Sequence, residues 1–265
     1  AFDSFKGIVT ITADKALRTI GEFRGLTTAS VIDLRGATSL TSIVDNAFNG
    51  EFNGFKGSVH MGDNPALKTI GFQAFYKADN HASVIDLTNA VELTTVDTSA
   101  FRQFKGKVTM ETNPVLDTIE QYAFYKADNN ASVIDLTGAT SLTTVGGSAF
   151  RTFKGRVIMG DNPNLKTIGT YVFADNTASV IDLRGATSFE SIGQNAFSNF
   201  HGRVIMTGQY PQLASIGDDA FYRAYHNNNT VDIECVKQPF SEGTSLFYEA
   251  KGTYSLDTIA CMLLN

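Results

Sequence analysis

The chain has 265 residues, 43% of them hydrophobic and only 18% charged, against about 25% charged in an ordinary soluble domain. That suffices for one large core or two ordinary ones, and a net charge of −6 with an isoelectric point near 5.2 argues against nucleic acid, which attracts basic patches. No apolar run approaches the ~20 residues of a membrane-spanning helix, so membrane insertion is not expected. Twenty Phe and no Trp point to Phe filling one structural slot again and again. Cys235 and Cys261 form neither a metal motif nor a disulfide framework, although a single bridge between them stays open.

In chain order, the opening "AFDSFKGIVTI" aligns with "AFRQFKGKVTM" at Ala100, so Ala1 falls in the middle of a repeat unit. With no initiator Met and no signal-like segment, the chain reads as an excised piece with an incomplete first coil. Solenoids need capped ends, so either more repeats precede Ala1 or the open end docks onto something, and self-association is one expectation.

From Leu17 an L-x-x-I step recurs: Leu17–Ile20, Leu40–Ile43, Leu67–Ile70, Leu93–Val96, Leu116–Ile119, Leu142–Val145, Leu165–Ile168, Phe189–Ile192 and Leu213–Ile216. Neighbouring steps lie 23 to 27 residues apart. A Phe follows each later step at a nearly fixed offset, from Phe48 and Phe75 to Phe197 and Phe221, whereas Phe23 arrives early. Units alternate between an "ASVIDLxGATSL" type, with four copies from Ala29, Ala82, Ala131 and Ala178, and a "KGxVxMGDNPxL" type.

Such a unit cannot bury its apolar face alone, but stacked units can. The expected fold is therefore a mainly β repeat solenoid with short parallel strands and about 24 residues per coil. Runs such as Val31–Leu34 and Thr41–Val44 read as strands, "RGAT" and "GDNP" as turns, and the segments around "NAF", "SAF" and "YAF" as short helical or irregular returns. The Phe column becomes an aromatic spine inside a rod. Residues 1–234 form the solenoid, and 235–265, which leave the repeat, form a C-terminal cap.

The L-x-x-I step followed by A-F, as in "LKTIGFQAF", "LTTVGGSAF", "FESIGQNAF" and "LASIGDDAF", resembles the BspA-type leucine-rich repeat family. The C-terminal "DIECVKQPFSEGTSLFYEA" is similar to the terminal segment often seen in that family. Two features depart from its pattern: the usual Cys after A-F is Phe or Ala here, and the Pro after the strand is mostly missing. The resemblance implies a right-handed leucine-rich-repeat coil in a secreted or cell-surface protein. Adhesion or protein binding is the implied role.

Three rows of outward side chains are candidate surfaces. The third position of each L-x-x-I step is Ser or Thr in all nine units, and Thr69, Thr95, Thr118, Thr144 and Thr167 form its central ladder. A hydroxyl ladder needs no ligand. A flat Thr array also suits a regular surface such as ice or a polysaccharide, or a protein. The adjacent Gly21, Gly71, Gly146, Gly169, Gly193 and Gly217 are expected to keep this face low and open.

On the other strand, an Asp column (Asp33, Asp86, Asp135, Asp182) is expected to alternate with His60, Thr109, Ile158 and Ile205. Each Lys or Arg of the neighbouring column then lies diagonal to an Asp on both adjacent coils. Asp residues two coils apart, about 10 Å, are too far apart to share one calcium ion, so no metal is expected. The third row is Tyr76–Lys77, Tyr125–Lys126 and Tyr222–Arg223, either a contact row or tyrosines covering the core edge.

His60, His81, His201 and His226 fall at unrelated repeat positions, and no nucleophile, zinc or phosphate-loop motif appears. The expectation is a non-enzymatic binding module without a cofactor. Its partner would be an extracellular protein or glycan.

Overall fold

Each repeat unit contributes two short strands and one hydrogen-bonded turn, and these stack into the three walls of a solenoid. The computed structural model describes residues 6–11, 16–111, 113–225, 230–234, 241–242, 249–250 and 253–257. Strands of three to seven residues, such as Val31–Asp33, Ser58–Met61 and Arg203–Gln209, stack in a parallel sheet of eleven among the described residues. Two-residue strands, such as Ser42–Ile43 and Thr69–Ile70, stack in a second parallel sheet of ten. Each sheet takes every second strand of the chain, as one strand per coil requires. Most of 235–265 lies outside the described residues, with Cys235 and Cys261. Strands Ser241–Glu242 and Thr253–Asp257 within it extend the two sheets.

The third wall differs from the helical return expected around A-F, since there is no helix among the described residues. Asn46, Phe48 and Gly50 instead donate their N–H groups to the carbonyls of Phe72, Ala74 and Tyr76 on the next coil, at 2.7–2.9 Å. The same three-bond step repeats to Asn195, Phe197 and Asn199, which donate to Asp218, Ala220 and Tyr222. The residue two before each spine Phe from Phe48 onward has positive φ: Asn46, Gln73, Ser99, Tyr122, Ser148, Tyr171, Asn195 and Asp219 lie between 53° and 58°. Left-handed backbone costs an L-residue about 1–2 kcal/mol. Here it turns the N–H toward the following coil, and the bond formed there offsets the cost.

The spine is as expected. Rings of Phe48, Phe75, Phe101, Phe124, Phe150, Phe173, Phe197 and Phe221 stack with centroids 5.0–5.6 Å apart and planes within 19°. Phe23 joins this column, 5.1 Å from Phe48, although it follows Ile20 by three residues where later units take five. Phe104, Phe153 and Phe200 lean against the column at 54–72° and fill the space beside it. All are buried.

Register in the eleven-stranded sheet departs from the expected columns. Asp33 pairs with His60, but His60 pairs with Val84 and Val84 with Lys107. The next column runs Asp86, Thr109, Val133, Arg156, so the pairing steps by two residues every second coil. The buried serine before each "VID" causes the step: Ser83, Ser132 and Ser179 accept the N–H of Val59, Val108 and Val157 through Oγ. A Cβ on Gly155 would lie 2.5 Å from the Ser132 carbonyl, so glycine after the lysine is required for that fit. Each Lys or Arg therefore lies diagonal to an Asp on one neighbouring coil only.

The Asp carboxylates are instead held by their own turns. Asp33 and Asp182 accept the backbone N–H and the guanidinium of Arg35 and Arg184, and these bonds hold both carboxyls below the usual range. Burial alone would raise the Asp86 carboxyl, but bonds from Thr88 and Thr109 outweigh it and leave it lowered. Buried Asn64, Asn113 and Asn162 each donate to two carbonyls of the preceding coil, and Tyr210 replaces the asparagine in the last such unit, donating to the Leu183 carbonyl.

Candidate functional site

The Thr ladder is continuous. Thr69, Thr95, Thr118, Thr144 and Thr167 pair in register, with Ser42 before and Ser191 after, and all are half-buried. Alternation along each strand puts Ile or Val inward and the hydroxyl outward. Thr69 bonds Ser42 at 3.0 Å and Ser191 bonds Thr167 at 3.3 Å, so part of the row satisfies itself. The adjacent glycines serve a different purpose from the expected openness. A Cβ on Gly193 would lie 2.5 Å from the backbone of Gly169 and Thr170, and Gly146 and Gly217 meet the preceding coil as closely. They permit close coil-to-coil approach.

On the turn wall the structure brings together more than the sequence suggested. Lys77 lies 5.1 Å from the Tyr76 ring, Lys126 lies 5.2 Å from Tyr125, and Arg223 lies 5.0 Å from Tyr222. The first two pairs are joined by Arg102 on the coil between them. Its guanidinium sits 5.4 Å from the rings of Tyr76, Tyr122 and Tyr125. Tyr122 and Tyr125 meet edge to face at 5.6 Å. One coil further, Arg151 sits 4.8 Å from Tyr171 and 3.6 Å from the Asp175 carboxylate. The cluster starts at Glu51, whose carboxylate pairs with Lys77 at 2.9 Å. Hydrogen bonds from Lys77 and Tyr76 lower that carboxyl, and the Glu51 bond raises the Lys77 ammonium.

Tyr222–Arg223 stands apart from this cluster, four coils beyond Phe124, and Arg223 bonds Glu249 at 2.6 Å. Arg102, Arg151, Tyr122 and Tyr171 were missed from the sequence. The available signal was "AFR" on alternate coils between "AFY" units. Tyr122 and Tyr171 also carry positive φ, 58° and 57°, at a position where other coils use Asn, Asp, Ser or Gln. Bulky residues in this backbone region are uncommon. Arg102 Nε is buried without a hydrogen-bond partner, so its guanidinium is held by ring faces.

Among the described residues there is no group of three His, Cys, Asp or Glu side chains arranged to hold a metal ion. The arrangement can present to a partner the half-buried rings of Tyr122, Tyr125 and Tyr171, with the guanidinium groups of Arg102 and Arg151 beside them, whereas Tyr76 is buried at 8% exposure. Its tyrosines and arginines hold one another in place, which lowers the entropy lost on contact.

Comparison with known proteins gives one family. The profile described as "BspA type Leucine rich repeat region (6 copies)" matches four overlapping stretches, residues 1–105, 27–153, 68–204 and 117–250. No curated protein matches the chain. Among solved structures, the crystal structure of the pneumococcal vaccine antigen PcpA is similar at a TM-score of 0.43 and 15% identity, covering 89% of this chain and 71% of that one.

Proposed function

Because this chain belongs to the BspA-type leucine-rich repeat family, we propose that it is a non-enzymatic protein-binding module of a secreted or cell-surface protein, with the Tyr–Arg cluster around Arg102 at the centre of its contact face. The observation that carries this reading is the placement of Tyr122 and Tyr171 in left-handed backbone, each beside an arginine. Asparagine meets the same backbone requirement at Asn46 and Asn195. Folding therefore does not call for tyrosine there, and strain retained at a surface is a pointer to function. Tyr and Arg are also the residue types enriched at binding hot spots.

The test is a biolayer-interferometry screen of purified extracellular proteins against the wild-type chain, repeated with Tyr122→Asn and Tyr171→Asn. Both variants keep the fold, because Asn tolerates the turn. A partner that loses about tenfold or more in affinity with each variant, yet binds Thr118→Glu normally, supports the reading. A partner that ignores the tyrosine changes and is lost with Thr118→Glu overturns it in favour of the strand ladder.

A further inference from the structure

Two departures from the repeat meet at one place near the start of the solenoid. Phe48 of the spine and its leaning partner Phe55 are seven residues apart, where Phe101–Phe104, Phe150–Phe153 and Phe197–Phe200 are three apart. The four extra residues form a fastened loop. Asn49 Oδ1 accepts the N–H groups of Glu51 and Phe52 at 2.9 Å, Asn53 Nδ2 donates to the Asn46 carbonyl, and Gly25 N–H donates to the Asn53 carbonyl at 2.6 Å. Yet this loop holds Phe52 72% exposed. On the next coil Phe72 is 39% exposed, at a position where other coils carry Asp, Thr, Gln or Gly.

Between them lies an open cleft of about 420 Å³, a size typical of small-ligand sites, whose rim includes Asn46, Gln73, Glu22 and Arg24. Asn49 Nδ2 donates to Asn46 Oδ1 at 2.8 Å and to Gln73 Oε1 at 3.4 Å. That fixes both amides and leaves their NH2 groups without a protein partner among the described residues. Arg24 is fixed likewise by its bonds to Glu22 Oε2 at 3.1 and 2.6 Å.

We propose that this cleft binds a neutral pyranose unit of a glycan. A pyranose has an apolar C–H face that lies against an aromatic ring, and a rim of vicinal hydroxyls that both donate and accept. Phe52 and Phe72 supply the flat apolar surfaces, the two amide NH2 groups supply donors, and the Glu22 carboxylate supplies an acceptor. A purely apolar guest would leave those oriented amides unpaired, at a cost. The Glu22–Arg24 pair balances its own charge, which favours a neutral sugar over an anionic one. The proposal does not rest on the Tyr–Arg cluster.

The experiment is saturation-transfer NMR of the full chain with cellobiose, lactose and N,N′-diacetylchitobiose at millimolar concentration, and with acetyl-leucine amide as an apolar rival. At least one sugar is expected to receive saturation at its ring C–H protons. Its affinity falls about tenfold or more in Phe52→Ser and in Phe72→Thr, with thermal unfolding unchanged in the first, whose ring is mostly exposed, and the fold retained by circular dichroism in the second, whose ring is partly buried. Gln73→Glu, which removes a donor and leaves the aromatic faces, weakens binding as well, whereas Arg102→Ala leaves it intact and so separates this site from the protein-contact face. Absence of saturation for every sugar, or sugar binding indifferent to both Phe variants, overturns the proposal. So does saturation of acetyl-leucine amide alone.

Discussion

Phe124 allows the contribution of the aromatic spine to be separated from that of simple burial. Its ring is fully buried, stacks on Phe101 at 5.1 Å and Phe150 at 5.2 Å, and meets Phe153 at 5.9 Å. Phe124→Leu keeps an apolar side chain in the column but removes both stacked contacts, each worth about 0.5–1.5 kcal/mol beyond area, so the expected loss is about 1–3 kcal/mol. Phe124→Ala removes the buried volume too and costs about 3–5 kcal/mol. Urea unfolding followed by far-UV circular dichroism reads both, with tyrosine fluorescence as a second signal since the chain has nine Tyr and no Trp. Because coils couple mainly to their neighbours, the alanine variant is also expected to separate the two signals into distinct transitions. A leucine variant within about 0.5 kcal/mol of wild type refutes the stacking argument and leaves the spine as volume alone.

Three further outcomes follow from the geometry. Gly193→Ala forces a Cβ against the backbone of Gly169 and Thr170 and should destabilise by about 1–3 kcal/mol, while Gly21→Ala, with nothing within 4 Å of the added carbon, changes stability by less than about 0.5; paired thermal melts compare them. Asn162→Ala leaves the Leu136 and Ala139 carbonyls without their side-chain donor and should cost about 2–3 kcal/mol in urea unfolding. The carboxyls of Asp33, Asp86 and Asp182 sit lower in the folded chain than in the unfolded one, so their contribution is present above about pH 4 and is lost as pH falls through the folded values. Stability measured from pH 6 down to pH 3 should therefore decline, and less steeply in Asp86→Asn; an unchanged slope in that variant would show that Asp86 does not contribute.

Much of the architecture was legible because each coil repeats the same burial pattern. Ile70 and Ile119 face inward, so alternation along their two-residue strands sends Thr69 and Thr118 outward without any knowledge of the neighbouring coil, while Leu67 and Leu116 reach the core from the turn before each strand. Phe75 and Phe124 likewise had to be core, and they stack. The Tyr–Arg cluster was only half visible. Tyr76 and Tyr125 stood out as a repeated pair, but that Arg102 lies between their rings depends on how three coils sit on one another.

The sequence by itself determined which residues face the core, since side chains alternate with a period of two along a strand and every coil must bury the same face. It could not determine how far each strand slides against the next. A slip of two residues leaves every side chain on its original face, so the hydrophobic pattern reads identically in both registers. Contacts between coils decided the matter: Ser83, Ser132 and Ser179 entering the ladder beside Val59, Val108 and Val157. The left-handed turns at Tyr122 and Tyr171 were fixed in the same way. Their N–H groups find carbonyls only on the following coil, so tertiary stacking selects a backbone that local preference disfavours.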